Sequence, residues 1–250
     1  MFDVSELAYD KFMGRYSARL APLFADFAGV ETGQRVLDVG AGTGALTAEL
    51  VRRDTEVAAI EPAPSFVAAL HSRFPSIDVR QAGAEELPWP DGSFDAALAQ
   101  LVVTFMSDAP AGVAEMRRVV RPGGIVAVCM WDRDGMEMLG AVNRTQRALD
   151  PSQQTPEQRT LYRSRETLEA LVGEGARSEL LEVESDYAGF EELWSTVVDG
   201  AGPAGVWAKS LDDEQRAVAR EEMYRQVGSP GGAFTLTGRA WAVRATVAAS

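Results

Sequence analysis

The stretch Val36-Leu-Asp-Val-Gly-Ala-Gly-Thr-Gly-Ala-Leu-Thr47 limits the possible folds more than any other part of the chain. A β-branched apolar run enters it and a helix-forming run leaves it, with glycines at 40, 42 and 44 between them. Glycine reaches positive φ without steric cost and lets a ligand approach the main chain. A strand, glycine turn and helix in succession therefore form a ligand-binding corner of an α/β sheet. The first half of the chain repeats this rhythm. Arg35–Val39, Val57–Ile60, Ile77–Arg80, Phe94–Gln100 and Ile125–Met130 read as strands, and Ala45–Arg53, Ser65–Arg73 and Ala111–Val120 as helices. Pro62, Pro64, Pro90-Asp-Gly92 and Arg121-Pro-Gly-Gly124 punctuate them. Strands without clean polar alternation, separated by helices, predict a mostly parallel sheet covered on both faces, a doubly wound α/β fold.

The second half changes character. Residues 133–176 read as mainly helical and polar, with a loop at Asp150–Pro156. Ser178–Asp186 and Phe234–Val247 read as two last strands, which brings the sheet to seven. Between them Phe190–Gly228 is predicted helical, broken at Asp199-Gly-Ala-Gly-Pro203. At the other end Ser5–Ala28 reads as a helix carrying Tyr9, Phe12, Tyr16, Phe24 and Phe27. The expected organisation is an N-terminal helical cap over 1–30 and one α/β domain over 31–250. Helical segments at about 133–176 and 188–232 of that domain would act as a lid.

Composition narrows the ligand. Lys and Arg total 24 against 37 Asp and Glu, a net charge of −13 that repels polyanions, so no nucleic-acid partner is expected. The cluster Arg117, Arg118 and Arg121 suits the C-terminal end of a helix, where cations complement the macrodipole. Apolar runs such as Ile125–Trp131 are too short to span a bilayer, and the acidic start Met1-Phe-Asp-Val-Ser-Glu does not resemble a signal peptide. No membrane partner is expected, and the expected location is the cytoplasm. One cysteine (Cys129) and one histidine (His71) exclude an internal disulfide and a cysteine-based zinc site, and no metal is expected. Cys129 reads as a small core residue and His71 as a solvated helix residue.

The glycine pattern alone leaves two cofactor classes open. Residues 40–45 also fit Gly-x-Gly-x-x-Ala, with Glu61 about twenty residues on for a ribose, which is the fingerprint of an NAD(P)-dependent oxidoreductase. Asp38 helps to choose. A carboxylate two residues before the first glycine opposes a pyrophosphate but stabilises a ligand carrying ammonium and sulfonium charges. Asp38 could also simply cap the amides beside it.

These blocks in order resemble class I S-adenosylmethionine-dependent methyltransferases of the small-molecule type 11 group, over roughly residues 5–132. Asp38–Gly44 looks like the first motif of that family, Ile60-Glu-Pro62 like its acidic ribose-binding turn and Gly83-Ala-Glu-Glu-Leu-Pro88 like the segment framing the adenine. Phe94–Gln100 resembles its fourth strand and Glu115–Gly124 the helix and turn before the fifth. The resemblance implies a Rossmann-like fold, S-adenosylmethionine as methyl donor and S-adenosylhomocysteine as product. It places Gly40, Ala41 and Gly42 along the methionine and ribose, Asp38 in a polar network nearby, Glu61 on the ribose hydroxyls and Pro62 against the adenine. Ala84 and Glu85 would approach the adenine edge, and Gln100 and Leu101 would face the amino-acid part and the reacting methyl. Tyr9–Ser17 resembles a helix that closes over the cofactor, from which Arg15 or Tyr16 would reach the cofactor carboxylate. The same helix could equally be a packing element.

The acceptor is expected to be a small aromatic or apolar molecule. Phe12, Phe105, Trp131, Asp132 and Trp194 are its candidate contacts, with Met106, Met136 and Met138 as possible pocket walls. Trp194, Trp207, Met223 and Tyr224 stand at helical spacings that also suit plain packing. No catalytic residue is assigned, although Asp132 or a tyrosine could serve as a base. A monomer or homodimer is expected. A protein that keeps the adenosyl pocket without transferring a methyl is the remaining alternative.

Overall fold

The structure is a computed structural model that describes residues 10–152, 161–200 and 202–248. Tyr9, the start of the expected N-terminal helix and part of the 150–156 loop lie outside the described residues. Strands β1 (Arg35–Val39), β2 (Glu56–Ile60), β3 (Asp78–Arg80), β4 (Phe94–Gln100), β5 (Val120–Met136), β6 (Arg177–Tyr187) and β7 (Phe234–Thr246) form one sheet ordered β3-β2-β1-β4-β5-β7-β6. Neighbours among β1–β5 pair in parallel, and β7 runs antiparallel to both β5 and β6. This is the doubly wound, mostly parallel seven-stranded sheet expected. The chain crosses back beside β1 to form β4. At that switch point the loops diverge to opposite faces and open a crevice at the carboxyl ends of the strands.

Successive strand residues point to opposite faces, so each strand feeds two cores. Val36, Leu98, Ala127 and Cys129 face the first core, with Tyr16, Leu20 and Phe24 of α1 (Arg15–Ala28) and Leu46 and Leu50 of α2 (Ala45–Arg52). The four-residue spacing of Tyr16, Leu20, Phe24 and Ala28 puts one apolar stripe of α1 on the sheet. Leu37, Val39, Ala97, Val126 and Val128 face the second core. It is closed by Val113 and Met116 of α4 (Ala109–Val119) and by Leu168 and Val172 of α6 (Arg165–Val172). Leu70 of α3 (Pro64–Arg73) packs with Ala41, Ala59 and Val79 beyond β2. The helices α5 (Glu137–Leu149), α7 (Phe190–Asp199), α8 (Gly202–Ser210) and α9 (Asp213–Gln226) complete the second half.

Several boundaries differ from the sequence reading; the fifth strand, for one, already starts at Val120, with a register irregularity before Ile125, and two further differences bear on the site. The fifth strand does not stop at Met130 but continues to Met136, because β7 pairs with it at Met130, Trp131 and again at Met136 across an irregularity. The N-terminal segment is not one regular helix. Asp10–Gly14 forms a π-helical turn and the α-helix starts at Arg15. Among the described residues, no helix is long and apolar enough to cross a membrane.

Candidate functional site

The glycine turn is shaped by main-chain contacts. Gly40 and Ala41 donate their amides to the Ile60 carbonyl at 2.8 and 3.1 Å, which binds the turn to the end of β2. Gly40 adopts φ +70°, and a Cβ there would lie 2.4 Å from Cγ2 of Val102, so no other residue fits without displacing the chain after β4. Gly42 is the opposite case, since a Cβ there would meet nothing within 4 Å. Its amide donates to Oε2 of Glu61 at 3.0 Å, and the other oxygen of Glu61 accepts from the Ala63 amide at 2.9 Å. Burial pushes the Glu61 carboxyl upward, and the two amides pull it back.

Asp38 lies beneath the turn, 1% exposed, and accepts from the Thr47 hydroxyl at 2.6 Å. Burial pushes its carboxyl up to about 7, against the pull of Thr47 and with a smaller push from the charge of Glu61. Its ionisation therefore falls in the neutral range, and a nearby cation would favour the charged form.

The third side of the site is the end of β4. Asp38 pairs with Leu98 and Val39 with Ile60, so continuing both registers sets Gln100, Gly40 and Glu61 level across three neighbouring strands. At about 4.8 Å per strand, Glu61 and Gln100 stand about 10 Å apart. The Gln100 side chain donates through Nε2 to the Ser17 carbonyl of α1 at 3.1 Å, while its Oε1 is buried with no hydrogen-bond partner. Leu101 follows at φ +63°, held there by its N–H, which donates a hydrogen bond to the Cys129 carbonyl at 2.9 Å. A bulky residue in that region is strained, and such strain collects at ligand sites.

The remaining sequence candidates separate into groups. Pro62 is exposed beside Glu61. Ala84 packs toward Gly112 of α4, where the sulfur of Met106 also sits, and Glu85 accepts from the amides of Ser107 and Asp108 at the entry to α4. Arg15 and Tyr16 are both tied to the end of β6. Arg15 donates to the Asp186 carbonyl at 2.8 Å and to Glu192 at 2.9 Å, and lies over the Tyr187 ring. The Tyr16 hydroxyl pairs with that of Tyr187 at 3.1 Å, and burial and Tyr187 push its phenol far upward, so it is a neutral hydrogen-bonding group. Phe12, Trp131, Trp194, Met136 and Met138 are buried in the first core, whereas Phe105 is 60% exposed at the end of the turn after β4. Asp132 accepts from the Trp241 indole at 3.2 Å, on the face opposite Trp131. His71 is exposed and Cys129 buried, as read from the sequence.

Sequence reasoning passed over three parts of this arrangement. Thr47 stands nine residues after Asp38, one turn into α2, and its hydroxyl position was legible in principle. Val102 over Gly40 and the Ser17 carbonyl on Gln100 join segments far apart in sequence and left no local signal.

The donor set fits an adenosyl ligand. The paired oxygens of Glu61 suit vicinal hydroxyls, the orphaned Gln100 Oε1 suits an ammonium, and the open side of Gly42 admits close approach. The reversed β7 between β5 and β6 also departs from the fully parallel order of dinucleotide-binding sheets.

Residues 37–128 match the methyltransferase domain family Methyltransf_11. An uncharacterized methyltransferase of Mycobacterium tuberculosis is 40% identical over 109 residues, 44% of each chain. The demethylmenaquinone methyltransferase of Beutenbergia cavernae is 36% identical over 126 residues, 50% of each. The chain thus spans about half the length of the curated relatives it matches. A solved structure described as a type II methyltransferase candidate from Anaeromyxobacter dehalogenans aligns with a TM-score of 0.66 at 20% identity, over 93% of this chain and 97% of that one.

Proposed function

We propose that this chain, a member of the class I methyltransferase family through residues 37–128, transfers a methyl group from S-adenosylmethionine to a small acceptor with an aromatic or apolar body. The observation that carries the reading is the buried, unpartnered Gln100 Oε1 at the end of β4 and the Glu61 carboxylate just past the end of β2, with the glycine turn after β1 on the strand between them. When bound, S-adenosylmethionine supplies a sulfonium methyl already activated for in-line displacement, so no protein nucleophile is required.

The residues of the chain bind and align. Glu61 takes the ribose hydroxyls, sharing or releasing the Gly42 amide it now holds. Gln100 accepts from the methionine ammonium while its Nε2 keeps α1 in place through Ser17. Ionised Asp38, oriented by Thr47, adds favourable charge beneath the turn. Gly40, Ala41 and Gly42 present main chain, Pro62 offers an apolar face to the adenine, and Ala84 and Glu85 frame its edge. Leu101 lies toward the reacting methyl, and Arg15 and Tyr16 anchor the cap to β6. That cap over 1–30 and the segments at 133–176 and 188–232 exclude water and select the acceptor. Proximity and alignment of this kind supply up to about 7–11 kcal/mol of a barrier. The protein acts as a monomer or homodimer in the cytoplasm.

Calorimetric titration with S-adenosylmethionine and S-adenosylhomocysteine tests this. Both should bind saturably at one site, Glu61→Ala should weaken binding about tenfold or more, and reduced nicotinamide dinucleotide should not bind. Absence of binding to folded protein, or unchanged affinity in folded Glu61→Ala, would remove the reading.

A further inference from the structure

The end of β5 carries a cation that the site above does not use. The Arg163 guanidinium donates to the carbonyls of Trp131 at 3.2 Å (Nε) and Asp132 at 3.1 Å (Nη2). The Arg163 carbonyl in turn accepts from the Arg133 amide at 2.9 Å. The residue before it, Tyr162, adopts φ +55°, a conformation a bulky side chain rarely takes, so these hydrogen bonds hold a strained segment in one place. Nη1 has no hydrogen-bond partner among the described residues. Nor does any carboxylate among them come within ion-pair distance of the group.

Among the described residues the half-buried Arg117 and Arg244 likewise hold a main-chain carbonyl and no carboxylate, whereas other cations are paired. Arg15, Arg53 and Arg118 each hold a carboxylate at 2.7–2.9 Å. Burial works against the charge of Arg163, and Arg133 adds repulsion. Asp132 and Asp134 offset part of this from farther away, with one Asp132 oxygen engaged by Trp241. A guanidinium fixed by main chain, next to a strained residue and with no carboxylate of the described residues in ion-pair contact, matches a site for an anionic ligand.

Its location matches the acceptor side of the cleft. Gln100 is in register with Cys129, so Trp131 lies two residues farther toward the ligand end, about 7 Å beyond Gln100. The Thr104 hydroxyl contacts the Met130 sulfur at 3.8 Å, joining the turn after β4 to the same end of β5. We propose that Arg163 binds a carboxylate on the acceptor, which then combines an aromatic or apolar body with one anionic group. This rests on the methyl-transfer reading and narrows its substrate class.

The test uses the full chain with and without saturating S-adenosylhomocysteine, and follows tryptophan fluorescence, since Arg163 holds the Trp131 and Asp132 carbonyls and the Trp241 indole donates to the Asp132 side chain. Benzoate and 2-naphthoate are titrated beside their neutral amides, against wild type, Arg163→Gln and Arg163→Lys, with thermal melting to verify folding. The acids should bind wild type about tenfold or more tighter than the amides. Arg163→Gln should erase that preference and Arg163→Lys restore part of it. S-adenosylhomocysteine affinity should stay unchanged in both variants. Equal binding of acids and amides, an acid affinity indifferent to Arg163→Gln, or no acid binding to cofactor-loaded wild type would overturn the assignment. Failure of S-adenosylhomocysteine itself to bind wild type would overturn the methyl-transfer reading, a separate result from any of these.

Discussion

The turn after β1 and the end of β5 face the same side of one sheet, but they are built on different plans. After β1 the binding surface is main chain, with Gly40 and Ala41 fastened to Ile60, Gly42 open, and Glu61 one strand away clasping the Gly42 amide. Along the last residues of β5 the surface is side chains delivered from distant segments. Arg163 comes from 31 residues beyond Asp132, and Trp241 from 109 residues beyond it. Tyr16 meets Tyr187 across 171 residues. A surface made of backbone tolerates little change and suits a ligand that stays the same. A surface made of side chains can be altered without touching the sheet, which suits a ligand that differs between relatives.

That contrast breaks most easily at Gly40. Gly40→Ala places a side chain at φ +70° and within 2.4 Å of Val102, combining left-handed strain with overpacking. The expected loss is about 2–5 kcal/mol in urea unfolding, together with loss of S-adenosylhomocysteine binding. Val102→Ala in the same chain should recover the packing part and not the strain. If Gly40→Ala is as stable as wild type, the turn is not the rigid element described.

Asp38 gives the next largest effect. Its carboxyl titrates at about 7 in the fold against 3.8 ordinarily, so the folded chain holds a proton that the unfolded chain has lost. The stability it contributes is full below 3.8 and is lost as pH rises through about 7. Other carboxylates, such as Asp95 and Glu115, are shifted the other way, so the comparison must be a difference. Asp38→Asn should gain about 2–3 kcal/mol on wild type between about pH 5 and pH 8, at the cost of cofactor affinity. A pH-independent difference would show that burial does not govern this carboxyl.

The same division explains what could be read in the sequence. The alternation of strands and helices, the glycine turn and the Ile60-Glu61-Pro62 corner are local patterns, where neighbours in sequence are neighbours in space. The strands and helices themselves follow from such patterns, whereas the Glu61–Gly42 contact joins two corners nineteen residues apart and was not read from them. The extension of β5 to Met136 is not local, because it depends on β7 arriving about a hundred residues later. The engagement of Arg15 and Tyr16 with β6 is hidden for the same reason. Amphipathic spacing marks the buried face of α1, but not which strand lies opposite its first turn.

Tyr16 sharpens the comparison with the smallest effect. Its side chain sits one residue from Ser17, whose carbonyl holds Gln100, yet its own hydroxyl turns to Tyr187 and its ring meets Trp131 edge-on at 6.2 Å. Tyr16→Phe keeps the ring and deletes one buried hydroxyl, leaving that of Tyr187 without this partner. The expected loss is about 1–2 kcal/mol of stability, with S-adenosylhomocysteine affinity within about twofold of wild type. If affinity fell by far more while the melting curve stayed put, Tyr16 would belong to the cofactor pocket, and the two building plans would merge at the first turn of α1.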